Sequence, residues 1–365
     1  MLTTQCSSNW ARCLRIIIAL CLAVATTSTA AVTRVEPRLR LPSLPGDADD
    51  CAIWIHPTDA AKSTIIGNDK SGRTKGLTVY DHEANALQFV PMARPGNLDV
   101  RYAVPLGGRS TDVCAAIERD ANRIAIFAID PQTRRLTDIS APQGVSTYIE
   151  GDTYGLTLYK RPADGALFAF ASSSGRGDLT QVRLTDDGQG RVKGSLVRRF
   201  GRGIVRTRVE GMVADDALGF LYAADEGRAV LKFHTDPRKG SGLIRKFATD
   251  DGIRGDREGI AIYNCGDGEG YLLLSSQGNS TVKVYTREGD NTFLKTVDTV
   301  GATDTDGLDV TPCPAGHAFP NGFLVCHNSP GRQFVLYAWE DVAGENLRVS
   351  TKHDPRQAPS APSRP

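Results

Sequence analysis

The stretch "VEGMVADDALGFLYAADEGRAVLKF", residues Val209–Phe233, decides the fold. It holds two short apolar runs rich in Val, Leu, Tyr and Phe, each bounded by Gly and Asp, and an acid stands directly before its first glycine. Runs of that length between turn residues read as strands, and no helical period competes with them. The same order of acidic or polar turn, strand, Gly/Asp turn, strand and polar turn returns along the chain. It occupies Asp49–Gly72, Thr111–Asp130, Asp152–Gly177, Arg257–Tyr285 and Thr305–Ser329. An acid or Tyr precedes Gly at Tyr154-Gly155, Glu210-Gly211, Glu258-Gly259 and Asp306-Gly307, at separations of 56, 48 and 48 residues.

Repeats of this length with several strands each are the size of propeller blades. Six units therefore predict an all-β fold, a six-bladed β-propeller. A closed eight-stranded barrel or paired sandwiches would also account for the strands, but would not gather the repeated acids in one place. In a propeller, equivalent positions of successive blades surround one channel.

The remaining composition narrows the function. Among 365 residues the net charge is +1, which excludes a broad polyanion-binding face and hence nucleic acid as a partner. Arg12 and Arg15, the apolar run "IIIALCLAVA" and the small-residue stretch "TTSTAA" have the order of a secretory signal peptide, with cleavage expected after Ala30. The apolar run is too short to span a bilayer, so no membrane association is expected after cleavage. A secreted or periplasmic location follows. Cys51, Cys114, Cys265, Cys313 and Cys326 remain in the mature chain, an odd number without any CxxC, with Cys51–Cys114 and Cys265–Cys313 as candidate bridges. Residues 344–365, rich in Pro, Ser, Arg and Lys, read as a disordered tail, which leaves 31–343 as one domain.

Acids are unevenly spread. "DADDCAIWIHP" puts Asp47, Asp49 and Asp50 into four residues, ahead of a strand in which Trp54 is a core residue. Gathered round a channel, Asp49, Asp50, Glu210, Asp225, Glu226, Asp256, Glu258, Asp304, Asp306 and Asp309 would repel one another without cations. A hard cation that accepts six to eight oxygens, such as calcium, resolves the conflict. For any one of these acids the alternative is a turn Asp bonded to nearby backbone amides. "DTDGLD" at Asp304–Asp309 opens like an EF-hand loop but lacks its closing Glu, so ligands must come from distant parts of the chain. Lys70, Arg119 and Arg176 follow several of the same strands, which suits a phosphate substrate, with solvated surface cations as the alternative. Tyr154 is open between a channel-lining hydroxyl and blade core. No G-x-S-x-G elbow or RHG motif offers a nucleophile.

Taken in order, "DADDCAIWIHPTD", "IIGNDKSG", "GNLDVR", "YGLTLY", "EGMVADD", "LYAADE", "EGIAIY", "GYLLLSSQGNS" and "DTDGLDV" resemble the β-propeller phytases from about Gly46 to Val342. These are calcium-dependent enzymes that release phosphate from myo-inositol hexakisphosphate, or phytate. The resemblance implies several calcium ions held by Asp49, Asp50, Glu210, Asp256, Glu258, Gln277, Asp304 and Asp306. It implies phosphate contacts from Lys70, Arg119, Tyr154 and Arg176, with Glu226 near the reacting centre and Asn97, Asp99 and Arg101 in support. It also implies a monomer acting on a small molecule through metal-assisted hydrolysis without a phospho-enzyme. Three departures stand out: Cys51 where the family has Pro, Asp69 where many members have a second Lys, and "SSSGRGD" without the usual Lys-Glu pair. Two rival readings are a calcium-dependent propeller lactonase, which needs one cation and an apolar pocket, and a non-enzymatic binding propeller, which needs exposed aromatic anchors.

Overall fold

The computed structural model describes residues 32–175, 177–351 and 353–357. The expected signal peptide and Arg176 lie outside the described residues. Six sheets follow one another along the chain. Their first, innermost strands are Ala48–Trp54, Pro95–Leu106, Thr153–Lys160, Val209–Asp215, Ile260–Gly266 and Leu308–Thr311, which define blades 1 to 6. Each inner strand packs beside the next, and that of blade 6 returns to blade 1, so the ring is closed. The second sequence unit begins one strand late: Thr111–Asp130 covers the second and third strands of blade 2, whose inner strand lacks the acid-Gly signal.

No single core exists. Six apolar clusters each fill the space between two neighbouring blades. Between blades 3 and 4, for example, Phe168, Phe170 and Phe200 meet Met212, Leu221 and Phe233. Burying one such aromatic contributes roughly 1.5–3 kcal/mol, so each interface is strongly favoured. Inner strands are covered on both faces, and Ala48–Trp54 is buried throughout, whereas the outer strand Ala86–Pro91 alternates towards solvent. Trp54 is fully buried and donates its indole N–H to Asp112 at 2.8 Å.

The chain's two ends complete the last blades. Leu39–Arg40 pairs antiparallel with Gln333–Ala338 as the outer strand of blade 6, and Val32–Val35 adds a parallel fifth strand to blade 5. At the other end, residues 344–351 and 353–357, part of the stretch read as a tail, make specific contacts. The Trp339 indole donates to Arg348 O at 3.0 Å, and the Arg348 and Ser350 amides donate to the Tyr271 and Tyr263 hydroxyls. Arg356 reaches Asp112 and the carbonyl of Ile55. Polar contacts hold most of this apolar-poor segment, and Leu347 alone of its side chains joins the apolar cluster between blades 5 and 6.

The candidate disulfides are also corrected: all five cysteines are free thiols. Cys51 faces the cluster between blades 6 and 1, while Cys114 faces that between blades 1 and 2. Cys265 packs at the edge of the cluster between blades 5 and 6, whereas Cys313 belongs with Cys51 and donates to the carbonyl of His353 at 3.1 Å.

Candidate active site

The blades deliver recurring positions to one end of the channel, and in four of them the inner strand is interrupted there. In blades 1 to 4 the pairing of first and second strands skips between Ala48 and Cys51, Pro95 and Leu98, Thr153 and Leu156, and Val209 and Met212. Such bulges re-aim side chains. The skipped pairs are Asp49-Asp50, Gly96-Asn97, Tyr154-Gly155 and Glu210-Gly211, and Glu258-Gly259 and Asp306-Gly307 stand just ahead of the inner strands of blades 5 and 6.

The recurring glycine has a steric cause. A Cβ on Gly155 would lie 2.1 Å from Glu210 O, on Gly211 1.8 Å from Glu258 O, and on Gly259 2.6 Å from Asp306 O. Each glycine seats the backbone of the next blade, and Gly259 and Gly307 donate their amides to Asp306 O and Asp49 O at 2.7 and 2.9 Å. The residue before each glycine is thereby held at the channel rim.

Two residues earlier, in the turns that lead into the inner strands, stand Asp47, Arg94, Asp152, Arg208, Asp256 and Asp304. The third position is the first residue after each second strand. Lys70, Arg119, Ser174, Glu226 and Gln277 donate their amides to the carbonyls of Asp47, Arg94, Asp152, Arg208 and Asp256. Sequence reasoning missed Arg94, Asp152 and Arg208. The signal was present: charged residues recur two places before each ring residue.

The structure brings three glutamates of blades 4 and 5 together. Glu210, Glu226 and Glu258 are buried, with one oxygen of each within 4.8 Å of the others. Burial, then Asp49 and Glu258, push Glu210 well above the usual carboxylate range. Burial, with Glu226, Asp306 and Asp256 nearby, pushes Glu258 up to about 9. Burial lifts Glu226 to about 7 against the opposing effect of Arg208, which is ion-paired with it. Glu226 Oε1 and Glu258 Oε2 have no hydrogen-bond partner among the described residues. Arg208 also lies 3.8 Å from Asp256. The Tyr154 hydroxyl is hydrogen-bonded to Glu210, and burial followed by that carboxylate holds its pKa above the usual phenol value. Its ring lies under two guanidinium groups, Arg119 at 4.8 Å and Arg208 at 5.5 Å, and Arg119 is paired with Asp152.

Across the rim, Lys70 Nζ donates to Asp49 at 2.6 Å and lies 3.9 Å from Asp306. Burial alone would lower its pKa, but Asp49, then Glu210 and Asp306, raise it. Gln277 donates to Asp306 Oδ1 at 2.6 Å, and burial with Asp49 lifts Asp306 to about 7. The Asp306 amide donates to His327 Nδ1 at 3.2 Å, and burial lowers this imidazole to about 4, so it is neutral near pH 7.

Other expected residues fall elsewhere. Asp50 lines the channel with Asp99 and Asp309, and its carboxylate accepts the Leu98 amide at 3.0 Å. Asp304 is exposed on the approach to Asp306, its amide donating to Ser280 Oγ at 3.2 Å. Asp225 anchors a loop by accepting the amides of Arg206 and Thr207, and Asp69 does the same for Gly46 and Asp47. Asp99 accepts from Thr157 and Leu158 and pairs with Arg101, which also pairs with Asp216, so this set ties blades 2, 3 and 4 together. Asn97 is buried, with its side-chain oxygen unpartnered among the described residues.

Buried like charges, two unpartnered oxygens and an all-oxygen donor set fit a hard cation. Lys70, Arg119 and Arg208 around them fit an anion. A family model described as Phytase matches residues 6–357. The chain is also similar to a protein named 3-phytase from Bacillus subtilis (strain 168), with 34% identity over 331 residues, 85% of each chain.

Proposed function

The chain belongs to the phytase family, and we propose that it is a 3-phytase, an enzyme that hydrolyses phosphate monoesters of myo-inositol hexakisphosphate with calcium as its cation. The observation that carries this reading is the convergence of Glu210, Glu226 and Glu258, with two unpartnered oxygens, beside side chains of opposite charge. Glu210, Glu226 and Glu258, with Asp256, would hold one part of the cation site, and Asp49, Asp306 and Gln277 another. When bound, a divalent cation supplies Lewis acidity, acidifying water and neutralising charge that gathers on the phosphoryl oxygens.

The chain's own residues do the rest. Lys70 and Arg119 bind and orient the phosphate, Lys70 as a point charge and Arg119 as a fork stiffened by Asp152 and the Tyr154 ring. Their charges also favour the more negative transition state. The Tyr154 hydroxyl keeps Glu210 oriented. Glu226, lifted to about 7 by burial before a cation binds, faces the reacting centre and is held there by its ion pair with Arg208. We propose that Arg176 serves as a further phosphate contact, that the mature enzyme is exported, and that it acts as a monomer.

The test is phosphate release from phytate by the purified protein, with calcium, with chelator, and with calcium restored. Release that chelation abolishes and calcium restores is the expected result. No release at any calcium concentration would overturn the proposal. Arg119→Ala should lower kcat/KM by about 10–100-fold while leaving the calcium-dependent rise in melting temperature in place.

A further inference from the structure

The charged triplet "DRE", Asp256–Glu258, sends its two acids to the rim and its arginine elsewhere. Arg257 is buried, and although it stands in the segment that leads into blade 5, its guanidinium lies against blade 4. Nε donates to Ala248 O at 2.6 Å, Nη1 to Glu226 O at 3.0 Å and Nη2 to Thr249 O at 3.2 Å. The Arg257 amide donates to the same Glu226 carbonyl at 3.1 Å. Ala248 and Thr249 follow the outer strand of blade 4, Arg245–Phe247, and Ala248 turns the chain there with a φ of 53°. Each of these hydrogen bonds goes to a main-chain carbonyl. Taking a cation out of water is costly, so a buried arginine satisfied in this way is placed for what its fork holds.

What it holds is the join between two members of the carboxylate group. The residues beside Arg257 are pinned to later parts of the ring: Asp256 O accepts the Gln277 amide at 3.1 Å, and Gly259 donates to Asp306 O at 2.7 Å. Arg257 ties the same segment back to Glu226. Two donors on one carbonyl occupy both of its lone pairs and fix the peptide from which the Glu226 side chain departs. The Glu258 side chain departs from the residue after Arg257.

We propose that Arg257 is a positioning residue that sets the separation of the Glu226 and Glu258 carboxylates, and thereby the affinity of the site for its cation. The inference rests on the reading of these glutamates as cation ligands. Arg257 acts only through them. Calcium is bound by oxygens at roughly 2.3–2.6 Å, and ligand placement matters to about 0.5 Å, so a loosened join is felt as lost affinity.

The experiment measures calcium binding by titration calorimetry on chelator-treated protein, with circular dichroism to establish that each variant is folded. Arg257→Lys keeps the charge and loses the fork, whereas Arg257→Met loses both. Arg287→Lys is the control: it makes the same exchange at a buried arginine forked onto Asp215 at 2.7 Å, beside a cavity that none of the three glutamates lines. Both Arg257 variants should bind calcium about tenfold more weakly in at least one class of site, the usual loss when support for a metal ligand is removed. Arg287→Lys should stay within about twofold, although its melting temperature falls. The calcium needed for half-maximal phosphate release from phytate should rise in Arg257→Lys by the same factor as its calcium dissociation constant.

Wild-type calcium affinity in Arg257→Lys would overturn the proposal, and this variant decides should Arg257→Met fail to fold. Tighter binding by Arg257→Met would also overturn it, by reducing the residue to a repelling charge. An equal loss in Arg287→Lys would do the same, by tracing the effect to stability. Absence of calcium binding to wild type would overturn both this proposal and the cation reading beneath it. If wild type released no phosphate while the Arg257 variants still bound calcium more weakly, the phytase reading would fail and the positioning role would stand.

Discussion

Gly211 shows how much of the site is set by one missing methyl group. A Cβ there would lie 1.8 Å from the carbonyl oxygen of Glu258, a contact that only backbone movement relieves. Gly211→Ala should therefore cost at least about 3 kcal/mol in denaturant unfolding, since the clash is with main chain. A loss below 1 kcal/mol would mean that the blade junction yields easily. The acid that follows in the ring behaves differently. Glu258, pushed up to about 9, is protonated near neutrality without a cation, so Glu258→Gln imitates its resting state. That variant should melt with wild type in chelator at pH 7 but lose most of the melting-temperature gain expected from added calcium. Equal gains in the two proteins would remove Glu258 from the ligand set.

Elements turn these residue effects into a site. The bulged inner strands place one side chain per blade at the rim, and the first residue beyond each second strand supplies its neighbour. At the channel's other end, Asp99, Arg101, Asp215, Asp216, Arg287 and Asp309 line a cavity of about 190 Å³ that the C-terminal segment borders through His353 and Pro355. Ending the chain at Gly344 would leave the Tyr263 and Tyr271 hydroxyls and the Trp339 indole without their present partners. Orphaned buried polar groups cost about 1–3 kcal/mol each, so the melting temperature should fall by roughly 5 °C or more. Turnover at 25 °C should persist, because the segment lies away from the carboxylates. A truncated protein that is folded but inactive would place this segment in the chemistry.

For the whole molecule, buried charges of opposite kind define a pH window. Burial lifts Glu226 and Asp306 to about 7 and Glu258 to about 9, above the roughly 4 expected of unfolded carboxylates. Between those values the folded protein holds more protons than the unfolded chain, so cation-free stability falls as pH rises through the window. His82, His327 and His353 are lowered by burial to about 4, so the unfolded chain holds more protons below about 6.5 and stability falls with acid. Cation-free protein should melt highest in weak acid. The gain from calcium should grow from pH 6 to pH 9, because the cation takes the place of protons. A gain independent of pH would contradict this carboxylate assignment. The repeat, the six blades and most rim residues were legible because strand alternation and acid-Gly pairs are local patterns. Blade 2 was misplaced because its inner strand carries Gly96-Asn97 in place of an acid and glycine. The role of Asp225 and the packing of residues 344–351 and 353–357 were not legible, since hydrogen bonds with groups distant in sequence decide them. Sequence alone determined how many blades form and which residues face the rim, through periods of two and about fifty residues. Only the closed tertiary ring decided that Glu210, Glu226 and Glu258 meet, that Arg208 stands between Glu226 and Asp256, and that Lys70 spans Asp49 and Asp306. Those meetings depend on blade-to-blade packing, which brings chain segments as far apart as Asp49 and Asp306 into contact.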